Sequence, residues 1–137
     1  MPSTYNLFIS HSWGYSDAYN GMVSLLEDYS YFTFNNYSVP KDDPVHTAGT
    51  DRELEQASLQ KMNGCHVVII VAGVYATYSK WIKKEIKMAK EGFQSPKPIL
   101  AVKPWANKQT SQTVADAADK IVGWNSSSIV TAIRELS

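Results

Sequence analysis

The segment that most limits what this chain can fold into is His66-Val67-Val68-Ile69-Ile70-Val71-Ala72. A strand with one wet face alternates apolar and polar side chains. From Val67 to Ala72 the segment is apolar at every position and β-branched at all but the last, so it needs cover on both faces, and that is the position of a central strand in a parallel sheet. The run is far short of the ~20 residues a membrane helix needs. Parallel neighbours are joined by crossovers, usually helical, so the rest of the chain should alternate helix and strand.

It does. Tyr5 to Ser10 reads as a first strand, and a helix capped by Ser16 or Asp17 follows to about Tyr29, with Tyr19, Met22, Val23 and Leu26 along one side. Tyr31 to Asn35 reads as a second strand. Pro40 and Pro44 then make 36–49 a long loop. Thr50 and Glu53 form a capping box for a helix that runs to about Asn63 and stops at Gly64. After the central run, Ser79 caps a helix ending at Gly92, and Pro98 to Val102 is a fourth strand. A short helix lies around Val114 to Ala118. Lys120 to Trp124 is a fifth strand, and Asn125 or Ser126 caps a last helix bearing Ile129, Ile133 and Leu136.

At 137 residues there is room for one domain, 1–137. Five strands alternating with helices imply an α/β three-layer sandwich: a five-stranded parallel sheet with helices on both faces, in the flavodoxin-like order 2-1-3-4-5. Ligands of such sheets bind at the carboxyl ends of the strands, beside the switch point between strands 1 and 3. The loops after strands 1 and 2, and the start of the helix after strand 3, should line that crevice.

Charge narrows the choice of partner. Thirteen basic and thirteen acidic side chains cancel, which argues against nucleic acid held by bulk charge. The distribution is uneven: residues 1–60 carry two basic and eight acidic groups, whereas 61–108 carry nine lysines and two glutamates. A basic middle can draw an anion such as a dinucleotide, or it can be a solvated helix face. A single cysteine, Cys65, permits no intrachain disulfide. No leader or membrane segment is visible, and the expected location is the cytoplasm.

Several chemistries are excluded by what is missing. No G-x-G-x-x-G follows the first strand, and neither a P-loop nor a G-x-S-x-G elbow is present. His11, His46 and His66 have no metal-ligand spacing, so no metal is expected. One residue stands out instead. At 100° per residue, Ile82, Ile86, Ala89 and Phe93 share an arc that should face the sheet, with five lysines spread opposite. Glu85 falls beside that arc, and its neighbours at three and four residues are Trp81, Ile82, Met88 and Ala89. None of these can pair with it. A carboxylate at a core edge without a cation is costly, and such groups concentrate at functional sites.

Several of these segments resemble TIR-like domains. Phe8-Ile9-Ser10-His11-Ser12 is similar to the first box of the family, and Tyr78-Ser79-Lys80-Trp81-Ile82-Lys83-Lys84-Glu85-Ile86 resembles its S-x-W-x-x-x-E segment. The closing Ile121 to Asn125 and Ser128 to Arg134 resemble the bacterial and archaeal branch, and within it the TIR-like proteins of the Thoeris anti-phage systems. The usual Arg-Asp-x-x-Pro-Gly loop is absent, and Tyr37 to Pro44 stands in its place. The resemblance implies cleavage of the nicotinamide–ribose bond of NAD, with NAD as substrate and no bound cofactor. An ADP-ribose-derived messenger, often cyclic, would be produced and sensed by a separate effector protein, and the enzyme would self-associate.

The family's catalytic glutamate corresponds to Glu85, and the desolvation supplied by Trp81 would strengthen its effect. Phe8, Trp13 and Tyr78 would offer rings to nicotinamide or adenine. Ser10 and Ser12 would hold phosphate, and His11 and Asn36 complete the expected substrate contacts. Two other readings use the same fold: a non-enzymatic TIR-like adaptor acting through self-association, which needs no Glu85, and a flavodoxin-like FMN binder, suggested by Ser10, Ser12, Gly14 and Ser16 after strand 1.

Overall fold

The computed structural model describes residues 4–10, 16–37, 51–72, 80–103 and 111–137, without the side chains of 16–19, 51, 53, 54, 80 and 81. Within them the chain runs β1 (Tyr5–Ile9), α1 (Ser16–Glu27), β2 (Phe34–Asn36), α2 (Asp51–Asn63), β3 (Val67–Val71), α3 (Lys80–Glu91), β4 (Ile99–Val102), α4 (Gln112–Ala117), β5 (Lys120–Val122) and α5 (Ser126–Leu136). The strands form one sheet of order β2-β1-β3-β4-β5, and every pairing is parallel. The apolar run sits at the centre of that order, and all five residues of β3 are buried.

Strand periodicity sorts the core into two layers. Tyr5, Leu7, Ile9, Val67, Ile69, Val71, Leu100 and Val102 pack on one face with Met22 and Leu26 of α1 and Ile129, Val130 and Ile133 of α5. Phe8, Val68, Ile70, Ala72, Ile99 and Ala101 pack on the other with Met62 of α2, Ile82, Met88 and Ala89 of α3 and Val114 of α4. The three-layer α/β sandwich expected from the sequence is therefore present.

Local chemistry fixes several boundaries. Asn125, extended at φ −150°, accepts through its side chain from the Ser128 amide at 3.0 Å and caps α5. Ser111 does the same for α4. At the end of α3, a side chain on Gly92 would come within 2.6 Å of the Met88 carbonyl and 3.0 Å of Leu59, so this close approach of α3 to α2 requires glycine.

Two expectations shift. The second strand begins at Phe34, three residues later than Tyr31. Tyr31 is 99% exposed with φ +61°, a left-handed conformation that interrupts an extended run. The chain turns there and regains the ladder only at Thr33, whose carbonyl accepts from the Tyr5 amide. The fifth strand stops at Val122 rather than Trp124. Trp124 instead packs on the α1 side of the core, close against Gly21.

Candidate functional site

β1 ends at Ile9, and Ser10 stays in line with the strand because its amide donates to the Ile69 carbonyl of β3 at 2.8 Å. Two residues beyond Phe8, Ser10 shares its face of the sheet, the face on which α3 packs. This is the carboxyl end of β1 beside β3, the switch point of the strand order.

On α3 the buried residues are Ile82, Glu85, Met88 and Ala89. Ile86 is half-buried, and Lys83, Lys87 and Lys90 are exposed. At 100° per residue Glu85 therefore lies in the middle of the buried arc, not at its edge as the sequence pattern suggested. The reason is Met88, which is buried and extends the arc on the far side of Glu85. Phe93 lies beyond the end of α3 at Glu91 and adds nothing to the helical arc. Its ring lies instead under the Lys97 ammonium, 5.2 Å from the centroid.

Glu85 is 3% exposed and Ser10 7%. The Ser10 hydroxyl donates to Glu85 Oε1 at 2.6 Å, a short O–H···O bond. Burial pushes the Glu85 carboxyl up to about 8, and the Ser10 hydrogen bond pulls in the opposite direction. Among the described residues no cation pairs with it. Lys84, one residue away, lies 3.7 Å from Glu55 of α2 instead. A buried acid held by one hydroxyl binds a proton near neutrality and ionises readily when a positive charge arrives.

The expected substrate contacts separate into groups. Ser10 and Glu85 come together, although 75 positions separate them in the chain. Phe8 has no exposure and packs in the core below Ser10, so its ring presents no face to a ligand in this structure. Both donors of Ser10 are used within the protein, the amide by Ile69 and the hydroxyl by Glu85. Neither is available to a phosphate. Asn36 is exposed at the end of β2, but its register partner is Leu7. That is three residues short of Ser10, ~10 Å along the strand, and Asn36 does not join the pair. His11, Ser12, Trp13, Tyr78 and the side chain of Trp81 lie outside the described residues.

No local signal in the sequence could have found the Ser10–Glu85 bond. The hydroxyl ends a strand and the acid sits inside a helix, and only the β1–β3 pairing brings them together. Two surface grooves, one of about 430 Å³ beside Val23, Phe32 and Phe34 and one of about 350 Å³ between Leu59 and Met88, do not include either residue. No helix among the described residues is long and apolar enough to cross a membrane.

A family model described as "Thoeris protein ThsB, TIR-like domain" matches residues 8–109, a span that contains Ser10, the central strand and the whole of α3. No curated protein matches the chain.

Proposed function

Since the chain belongs to the TIR-like domain family of Thoeris protein ThsB, a family of defence signalling domains, we propose that it cleaves NAD at the nicotinamide–ribose bond, with Glu85 as the catalytic residue. The observation that carries this reading is a buried acid at the switch point of the sheet, with a hydroxyl and, among the described residues, no cation for a partner. An adaptor working through its surface gains nothing from such a group, whose burial costs stability.

The chemistry suits it. In NAD⁺ the nicotinamide is a cationic leaving group. When the C1′–N bond breaks, its electron pair neutralises the pyridinium and leaves an oxocarbenium-like ribosyl centre at C1′. No acid is needed to expel the base. A carboxylate held close to C1′ stabilises the developing charge, and does so more strongly out of water. The cation that enters with the substrate favours the ionised form of Glu85 and offsets its burial. Water capturing C1′ gives ADP-ribose and a proton. Capture by an atom of the same ADP-ribose, with loss of that atom's proton, gives a cyclic product, and excluding water favours the second outcome.

We read the product as an ADP-ribose-derived messenger acting in anti-phage defence through a separate sensing protein, and the enzyme as one that self-associates. The test is incubation of the purified chain with NAD, alone and with lysate of phage-infected cells, followed by mass spectrometry. Nicotinamide and an ADP-ribose-derived product from wild type, both absent with Glu85→Gln, support the proposal. Equal release by the two proteins, or none by wild type under either condition, overturns it.

A further inference from the structure

We propose that Ser10 is a positioning residue rather than a substrate ligand: fixed at the end of β1, its hydroxyl aims the Glu85 carboxylate at the reacting sugar. This inference rests on the reading of Glu85 as the catalytic acid and adds to it a partner and a control on its ionisation.

The geometry has three parts. The Ser10 backbone is held by its 2.8 Å bond to Ile69 of the central strand pair, so the hydroxyl departs from a rigid point. The acceptor is Oε1 of Glu85 at 2.6 Å, which fixes how the carboxyl group is turned and leaves Oε2 as the oxygen for other work. Both side chains are more than nine-tenths buried, so water does not compete for the bond, and a side chain supported this way holds its rotamer. A hydroxyl that only donates to the acid favours its ionised form, opposing burial.

Other charges on the surrounding elements do not substitute for it among the described residues. On α3 itself, Lys83, Lys87 and Lys90 are exposed, and Lys84 is turned to Glu55 of α2. The remaining described cation of α2 nearest its end, Lys61, is exposed, as is Arg52 at its start. From α4, Asp116 is exposed and accepts from Gln112. β1, β3 and β4 face α3 with Phe8, Val68, Ile70, Ala72, Ile99 and Ala101, which are apolar.

The experiment compares wild type, Ser10→Ala and Ser10→Thr in the full chain, with nicotinamide release from NAD followed across pH 5.5–9.5. Ser10→Ala should lower kcat about tenfold while leaving KM for NAD within about threefold, a pattern produced by loss of an interaction made in the transition state. It should also move the rise of activity with pH upward by about one unit, and Ser10→Thr, which keeps the hydroxyl, should restore both. A phosphate ligand would raise KM at unchanged kcat, and a structural residue would leave the pH profile in place; either result overturns the inference. If Ser10→Ala does not fold, Ser10→Cys, of similar volume but a weak donor, takes its place with the same expected shifts. The Glu85 carboxyl is followed in parallel by ¹³C NMR without substrate. Should wild type release no nicotinamide at any pH, the proposed activity fails by itself, while an upward-moved Glu85 titration in Ser10→Ala still supports the coupling and an unmoved one refutes it.

Discussion

Polar side chains at the amino end of the sheet and Glu85 at its carboxyl end do different work. At the amino end three polar side chains close backbone gaps. His66 Nδ1 accepts from the Asn6 amide at 2.8 Å. Lys97 donates to the Asn63 and Cys65 carbonyls at 2.9 and 3.1 Å, at the end of α2 where helix carbonyls lack partners. Asp119 accepts from the Ile99 amide at 2.8 Å and starts β4. The Cys65 thiol beside them is pushed up to about 11 by burial. At the carboxyl end, Glu85 is buried without closing any backbone gap. Polar groups of the first kind hold the fold together, and one of the second kind is kept at a cost to it. A sheet of this topology does its chemistry at the second end.

The sharpest way to break that contrast is the pH dependence of stability. Glu85 ionises near 4.5 when unfolded and near about 8 when folded, so between those values the folded chain keeps a proton that the unfolded chain has released. Its contribution is intact below about pH 4.5 and is lost as pH rises to about 8, on the order of 5 kcal/mol across the window. Urea midpoints of wild type should fall over that range, and those of Glu85→Gln should fall much less. Parallel curves would place the acid in solvent.

Next in size is the position of the carboxylate. Glu85→Asp retracts it by one methylene and breaks the bond to Ser10. Nicotinamide release should drop about 100-fold, as a displacement near 1 Å can cost, with the fold retained by circular dichroism. An Asp as active as Glu would remove the geometric part of the account.

The amino end supplies the opposite result. Asp119→Ala leaves the Ile99 amide without its acceptor and should cost about 2 kcal/mol in urea unfolding, with nicotinamide release per folded molecule within twofold of wild type. A large activity loss there would erase the distinction between the two ends. The smallest effect is at Asn125, where alanine removes the α5 cap and should cost about 1 kcal/mol, again without change in activity.

How much could be read beforehand follows the range of each interaction. The central strand, the cap at Asn125 and the strand order depend on patterns a few residues long, and the structure has them. Tyr31 was unreadable as a turn because a β-former there is overruled by its backbone. The rotation of α3 depends on which of its residues the neighbouring elements bury, and Met88 joins the buried arc only once α3 has packed in the core. That Glu85 had no helical partner was legible. That its partner is Ser10 was not, since the bond exists only after β1 and β3 have paired.

The most direct test of whether Glu85 serves chemistry rather than architecture measures two properties of one preparation. Wild type and Glu85→Gln are unfolded in urea at pH 9, and the same samples are assayed for nicotinamide release from NAD. The account predicts that the glutamine protein is the more stable of the two, because a neutral amide replaces a buried charge and can still accept from Ser10, and that it releases nicotinamide at least 100-fold more slowly. A glutamine protein that is less stable, or one that cleaves NAD as fast as wild type, would contradict it.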